Sequence, residues 1–365
     1  TRLTLYWYLR KIAGPGVTLI YNIANAFLYC VLAGAMISVS ATAVGLVVGI
    51  PVPGLGAVWP TSLGWVLVTV GLGAAFTTMA VLGFSKLSRF AEVVSPWIFV
   101  VFIAGAVAML PRLGVGPGLE NFWAVLRDKV WNGVAAAGQE KFGFGHVLFF
   151  AWFCNLAMHV GLSDMALFRY ARKWTYGLYS AFGMYPGHML AWLASGIMVA
   201  AVGREMHPGL MAFEAAGAAG VAAVLLAGWT TANPTLYRAG LALQTITPNW
   251  PRWKITLLAG GATTVLACFP VFFLKLLDYV AIYGLVLMPV GAIVFAEHWI
   301  FPMLKIEQYQ AEKRGWTFNG AALGVWLGTL GICAILPIHL YFRWLPGWVL
   351  AVLAYTSLMA WKGER

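Results

Sequence analysis

The sequence predicts an all-α protein that crosses a membrane many times. Of its 365 residues, 61% are hydrophobic and 10% are charged, whereas soluble chains carry about 25% charged residues. A mean hydropathy of +0.82 points to the same class. Apolar stretches close to the ~20 residues that a helix needs to cross a bilayer recur along the chain. We therefore expect a single transmembrane domain over residues 1–365, without a soluble module.

The apolar stretches divide the chain into ten expected membrane-spanning helices. The first is unusually long, and the longest polar interruption, Pro111 to Lys141, is short enough to be a loop. The ten spans are 17–50, 60–84, 90–110, 143–161, 176–202, 217–243, 255–274, 279–301, 317–340 and 345–361.

The distribution of positive charge predicts the orientation. Of the 23 lysines and arginines, 16 lie in one set of alternate loops and 7 in the other. Loops rich in lysine and arginine stay in the cytoplasm. We expect a multi-pass protein of the inner (plasma) membrane with both termini cytoplasmic. The net charge of +11 then reflects cytoplasmic loops and anionic lipid, so no nucleic-acid partner is implied.

Enzymatic chemistry has no signature in the sequence. No span contains a nucleophile with its base or a His-Glu-x-x-His metal set. The cysteines have no paired spacing, so they read as small buried apolar residues rather than disulfides or metal ligands. They are Cys30, Cys154, Cys268 and Cys333. We expect a non-enzyme whose partners are a small molecule and the lipid bilayer, with no resident cofactor.

The segment Ala227–Gln244 contains the most informative polar residues. It places two adjacent threonines, an asparagine and a proline inside an apolar span. Polar groups left unpaired in hydrocarbon cost several kcal/mol each, so such clusters face protein, water or a solute. Pro234 also removes a backbone donor and frees a carbonyl one turn earlier. The segment is our first candidate for a binding site.

Two interpretations of the threonines remain open. Ala227, Thr230 and Thr231 lie on neighbouring faces of one helical turn, and hydroxyl and carbonyl oxygens are the ligands that a hard Na⁺ ion accepts. Alternatively, threonines in membrane helices bond back to the carbonyl one turn earlier and have no further role.

A planar heterocycle is held best between aromatic faces while carboxamides bind its edge. Trp152, Asn155 and Asn233 supply these chemistries inside the spans. Three intramembrane histidines are candidate proton relays or hydrogen-bonded packing residues, and these are His146, His159 and His188. Asp164 and Arg169, at the end of a span, are expected to form an ion pair useful for gating.

Three segments together resemble the nucleobase-cation symporter family, a group of cytosine, purine and allantoin permeases with the leucine-transporter-type inverted-repeat fold. Phe149–Arg172 is similar to the family's sixth helix through Asp164 and Arg169, with a longer spacer between them. Trp229–Gln244 resembles the eighth helix. Leu277–Trp299 is similar to the tenth helix, which has a proline in the middle of the span and an acidic and an aromatic residue at its end.

The resemblance implies a permease that imports a nucleobase or related heterocycle, such as cytosine, a purine or allantoin, coupled to Na⁺ or H⁺ by alternating access. The ten spans would be helices three to twelve, and the first two helices would be absent. The family's sodium site falls on Ala227, Thr230 and Thr231. Its substrate-stacking aromatic falls on either Trp152 or Asn155, and its third-helix aromatic falls on Tyr29, which with Asn233 completes the expected substrate site.

Two other functions stay open at this stage. A permease of the same fold could carry amino acids or other small solutes, because fold does not fix the ligand. A truncated paralogue that folds but does not transport is the second alternative.

Overall fold

The computed structural model describes residues 3–135, 141–148, 160–162, 164–203 and 206–363 of the protein. This part of the chain is helical and contains no β-strand. Its nine long helices are labelled α1 to α9 in chain order. They are α1 (Leu5–Val47), α2 (Leu63–Val81), α3 (Phe84–Met109), α4 (Tyr176–Val202), α5 (Pro208–Gln244), α6 (Arg252–Ala267), α7 (Leu276–Phe295), α8 (Gly320–Ile335) and α9 (Trp344–Gly363).

Short helical segments connect the long helices. The α-helical ones are Phe122–Val125, Phe144–Leu148, Met165–Phe168, Val271–Leu274, Phe301–Leu304 and Gln310–Lys313. Leu110–Leu113 and Leu340–Phe342 are 3₁₀-helical, and Leu126–Val130 and Ala296–Ile300 are π-helical.

Seven helical segments of the described chain are long and apolar enough to cross a membrane. They are Leu5–Val47, Leu63–Val81, Phe84–Leu113, Tyr176–Val202, Pro208–Gln244, Asp278–Leu304 and Leu340–Lys362. The chain is thus a multi-pass membrane protein, whereas its division into ten spans stays a prediction.

Helix α1 begins at Leu5, well before residue 17, and it breaks once. At Gly14 the backbone has φ +81°, a conformation that favours glycine. A side chain there would also collide with the carbonyl oxygens of Trp316 and Thr317. The helix resumes at Pro15, which needs no N–H donor at a helix start. The break lets a later loop pack directly against the backbone of α1.

Helix α5 also contains a break, and it begins before residue 217. Ala216 and Gly217 leave the helical conformation, with φ +55° at Gly217. The two halves then fold so closely together that a Cβ at Gly220 would overlap the carbonyl of Ala212. The break therefore depends on glycine at two positions.

The core of the protein is the contact between α1 and α5. A Cβ on Gly228 would lie 2.8 Å from the carbonyl oxygen of Met36 and would overlap the hydroxyl of Ser40. On the other side of α1, a Cβ on Gly34 would lie 3.1 Å from the carbonyl oxygen of Thr263 on α6. Small residues allow this close approach, which membrane helices need because lipid provides no hydrophobic force between them.

A buried carboxylate holds the loop between α7 and α8 in place. Glu297 is fully buried in the π-helical segment. Its Oε2 accepts from the backbone N–H of Tyr309 at 3.1 Å, and its Oε1 accepts from the hydroxyl of Tyr355 at 2.9 Å. The Asn319 carboxamide then donates to the carbonyl of Ile12 at 2.9 Å. The loop is thereby fastened to both α1 and α9.

We expect Gly228→Ala to lower the apparent unfolding temperature in detergent, equivalent to a destabilisation of about 2 kcal/mol, because the added methyl separates α1 from α5. The matched control is Gly324→Ala on α8, where a Cβ would meet no atom within 4 Å. Equal effects of the two substitutions would contradict the role given to the α1–α5 contact.

Candidate functional site

A cavity of about 290 Å³ lies where α1, α3, α4 and α5 meet, beside Ala227 and Thr231. Among the described residues that line it, the polar side chains are the hydroxyls of Ser195 and Thr231, and none is ionisable. The apolar wall includes Met36, Val39, Ile98, Phe102, Met198 and Met211. This wall suits an uncharged solute that is partly apolar.

The break in α5 shapes the cavity. Ala216, at the break, and Gly220, one turn after it, both line the cavity. The segment before the break turns back over the rest of α5, so residues from both halves of one helix face the same space. A continuous helix could not surround the cavity in this way.

The threonine pair contributes oxygens of two kinds. The Thr230 hydroxyl donates to the carbonyl of Ala227 at 3.0 Å, which is the back-bonding pattern expected of an ordinary membrane threonine. Thr231 is exposed, and within the described chain its hydroxyl makes no hydrogen bond. Pro234 has no N–H, so the carbonyl of Thr230 lacks its usual helical donor.

Both sequence-based interpretations therefore describe part of the segment. Thr231 presents a free hydroxyl to the cavity, whereas the hydroxyl of Thr230 already donates to the carbonyl of Ala227. Three oxygens of this segment are candidate cation ligands, namely the Thr231 hydroxyl and the carbonyls of Ala227 and Thr230. Ala227 and Thr231 line the cavity, and the Ala227 carbonyl also accepts from the Thr230 hydroxyl. A hard cation needs more oxygen ligands than these three, so a second element has to supply the remainder.

Asn233 lies on the opposite face of α5. Two residues along a helix turn a side chain by about 200°, so Trp229 and Asn233 point away from Ala227 and Thr231. With its amide oriented to satisfy both neighbours, Asn233 donates to the carbonyl of Phe76 at 2.9 Å and accepts from Trp229 Nε1 at 3.2 Å. The fully buried side chain joins α5 to α2 and does not line the cavity.

Aromatic stacking strengthens the same contact. The rings of Phe76 and Trp229 stack with centroids 5.0 Å apart and planes within 11°. Phe90 of α3 adds a second ring, 5.2 Å from Trp229. This face of α5 is therefore a packing surface.

Tyr29 is buried in a cluster of aromatic side chains apart from the cavity. Its ring meets that of Tyr283 edge to face at 5.7 Å, and its hydroxyl accepts from Tyr6 at 3.4 Å. The guanidinium of Arg238 lies 5.7 Å from the centre of the Tyr29 ring. Tyr283 in turn donates to Asn25 Oδ1 at 3.1 Å.

Asp164 forms an ion pair with Arg238, a residue that the sequence analysis did not assign to the site. The distance from Asp164 Oδ1 to Arg238 Nη2 is 2.9 Å, and the two side chains are 14% and 17% exposed. Arg169 instead donates to the hydroxyl of Tyr170 at 2.7 Å and to that of Tyr237 at 3.3 Å. An ionisable residue within an apolar span is the signal that could have identified Arg238.

The remaining candidate residues from the sequence analysis are not among the described residues that line the cavity. Trp152, Asn155 and His159 lie outside the described residues. His188 Nδ1 lies 2.9 Å from the carbonyl oxygen of Met184, one turn earlier in its own helix. His146 lies 5.4 Å from the ring of His339. In the described chain no group of three or more His, Cys, Asp or Glu residues could hold a metal ion.

These features define a polytopic, all-α membrane protein with a broken helix beside a cavity between helices. Among solved structures, the chain is similar to one described as the inward-facing conformation of Mhp1, with a TM-score of 0.66 and 17% sequence identity. The match covers 99% of this chain and 78% of that chain. It confirms the all-α, leucine-transporter-type fold predicted from the sequence. No family model matches the chain, and no curated protein matches it either.

We expect Asn233→Ala to lower the apparent unfolding temperature, equivalent to about 2 kcal/mol, because the buried carbonyl of Phe76 and N–H of Trp229 both lose their partner. Ligand affinity of the folded fraction should change little. Normal stability together with lost ligand binding would contradict this packing role and would support Asn233 as a substrate-binding residue.

Proposed function

We propose that the protein is a secondary transporter that imports an uncharged nucleobase or related heterocycle, such as cytosine, a purine or allantoin, by alternating access. The observation that carries this proposal is the apolar cavity beside the break in α5, with the free hydroxyl of Thr231 at its wall. Solute sites between packed helices, next to interrupted ones, are the general design of such transporters. The fold likeness to Mhp1 supports the same class.

The lining of the cavity favours a heterocycle over an amino acid. A zwitterion loses much solvation energy on entering an apolar site unless opposite charges meet it. The described lining offers two hydroxyls and no ionisable side chain. Methionine and phenylalanine pack favourably against flat rings, and the wall provides Met36, Met198 and Phe102 for that purpose.

The same lining favours Na⁺ over H⁺ as the coupling ion. Proton coupling needs a titratable group at the site, and no carboxylate or histidine belongs to the described lining. Sodium coupling needs oxygen ligands, which the Thr231 hydroxyl and the carbonyls of Ala227 and Thr230 provide.

Arg238 and Asp164 are suited to gate the path from this cavity. Seven residues turn a helix almost twice, so Arg238 lies about 10 Å below Thr231 on the same face of α5. Its pairing with Asp164 joins α5 to the segment that leads into Met165–Phe168. A pair that links two elements and is largely removed from water is costly to form and sensitive to the loss of either partner. Opening the pair would expose the cavity to the lysine- and arginine-rich side.

The deciding experiment is uptake into proteoliposomes. Radiolabelled cytosine, uracil, adenine, hypoxanthine, allantoin, a hydantoin and leucine would be supplied with a Na⁺ gradient, a pH gradient or neither. We expect saturable uptake of one heterocycle, stimulated by Na⁺. Uptake of leucine alone, or stimulation by the pH gradient alone, would contradict the substrate or the coupling ion respectively.

In that assay, Thr231→Ala should raise the Na⁺ concentration for half-maximal uptake about tenfold, because one hydroxyl ligand is lost. Thr231→Ser should restore it. The matched control is Thr78→Ala on α2, an exposed threonine whose hydroxyl donates to the carbonyl of Ala74 at 2.8 Å. Equal sodium dependence in all three variants would remove Thr231 from the cation site.

We expect Asp164→Asn to increase access to the cavity. Thr231→Cys, in a chain without its native cysteines, would report access through the rate of labelling by a membrane-impermeant maleimide. Loss of the charge pair should speed labelling from the lysine- and arginine-rich side about fivefold, corresponding to a shift of roughly 1 kcal/mol in the gate equilibrium. Glu307→Gln, which removes an exposed partner of Lys313, is the control. Unchanged labelling in Asp164→Asn would contradict the gate.

A further inference from the structure

A second cavity, of about 430 Å³, opens at the end of the helical bundle where α1 begins. We call it the terminal groove. One wall belongs to the first turns of α1 and the other to the loop before α8. It is lined by Leu3, Trp7, Arg10, Lys11, Pro15, Ala311, Glu312, Gly315, Trp316 and Thr317. None of these residues contributes to the proposed transport site.

The terminal groove is a rigid feature because its two walls are bonded to each other. The backbone N–H of Gly16 donates to the carbonyl of Thr317 at 2.8 Å, and that of Asn319 donates to the carbonyl of Ala13 at 2.9 Å. Glycine at position 14 permits this contact, since a side chain there would meet the carbonyl of Trp316. The loop cannot leave α1 without breaking these two backbone hydrogen bonds.

Positive charge surrounds two indole rings at the groove. The Arg10 guanidinium lies 5.3 Å from the centre of the Trp7 ring. Lys362 Nζ and the Arg314 guanidinium each lie 5.4 Å from the centre of the Trp316 ring. These cations are held in place against aromatic faces.

Acidic residues balance this charge only in part. Glu312 pairs with Lys11 at 3.0 Å, and Glu307 lies 3.7 Å from Arg314. Within the described chain no carboxylate lies within 4 Å of Arg10 or Lys362. Among the described residues, Arg10 and Lys362 thus have no carboxylate partner and can meet an anion.

The location of the groove identifies the kind of anion. Leu5–Val47 begins at the groove and Leu340–Lys362 ends there, and both are candidate membrane spans. Lipid headgroups surround the ends of membrane spans, where tryptophan is enriched and basic pockets between helices bind anionic lipid.

An apolar track leads away from the groove along α1. Pro15 lines the groove, and Leu19 and Ile23 follow at successive turns of the same helix. They are 43% and 49% exposed, and Phe27, one turn further, is 57% exposed. An acyl chain could lie along this row while its headgroup occupies the groove.

From this arrangement we infer that the terminal groove binds the headgroup of an anionic phospholipid, with Arg10 and Lys362 contacting the phosphate and the α1 row contacting an acyl chain. The inference does not depend on the identity of the transported solute. The lipid would contact the cations and indoles of the terminal groove and the exposed apolar side chains of the α1 row.

The test is binding of phosphatidylglycerol to the purified chain in detergent, measured by native mass spectrometry across a lipid titration. Arg10→Gln combined with Lys362→Gln should weaken binding at least about tenfold, since each cation near a membrane surface contributes on the order of 1 kcal/mol. The matched control is Lys86→Gln with Lys254→Gln, which removes two exposed cations elsewhere, one of them 5.5 Å from the Trp253 ring.

Three further arms decide the outcome. Phosphatidylcholine should bind much more weakly than phosphatidylglycerol, and inorganic phosphate should not displace the lipid at millimolar concentration. Unfolding temperatures of both double variants should match that of the unaltered chain, which separates binding from misfolding. Equal weakening by the control pair, equal binding of the two lipids, or displacement by inorganic phosphate would each overturn the inference.

Discussion

The contact between α1 and α5 is the constraint on which the rest of the structure depends. Helices in a bilayer gain little from burying apolar surface against each other, because lipid tails are equally apolar. Their association relies on dispersion contacts, which require the backbones to come close. Gly228 allows this opposite Met36 and Ser40. Both helices also line the cavity, and so does Gly228 itself.

Helix α5 combines two opposite requirements on its two faces. Trp229 packs one face against rings of α2 and α3, and Asn233, itself bonded to Trp229, donates a hydrogen bond to the Phe76 carbonyl of α2. Ala227 and Thr231 leave the other face open to the cavity. A helix that is held firmly on one side can keep a solute site in register while neighbouring helices move. The period of the helix is what separates the two roles.

Two buried ionisable clusters illustrate different uses of charge in an apolar medium. Glu297 accepts hydrogen bonds from neutral donors, the Tyr309 N–H and the Tyr355 hydroxyl, and so fastens a loop to the bundle. Arg238 instead meets the opposite charge of Asp164 across two elements. A carboxylate bonded to neutral donors within a packed network favours rigidity, whereas an ion pair that is largely removed from water makes each charge depend on its partner.

The sequence by itself determined the class and the fold of this protein. Composition and recurring apolar stretches require a helical membrane protein, because only helices or closed barrels satisfy backbone polar groups in lipid. The break at Ala216 and Gly217 was not predicted, whereas the proline at position 234 also showed that the carbonyl of Thr230 lacks its helical donor. These are local properties, so the residues concerned carry them wherever they lie in the fold.

Only the tertiary structure decided which polar side chains share a site. Thr231 and Asn233 are neighbours in sequence, yet the helix turns them to opposite sides, one towards the cavity and one towards α2. Asp164 and Arg238 are far apart in sequence and meet through packing. The terminal groove likewise joins Trp7 to Trp316 across almost the whole chain. The opposite directions of Thr231 and Asn233 follow from the helical period, whereas the pairings of distant residues depend on how helices cross, which residue type and local spacing do not encode.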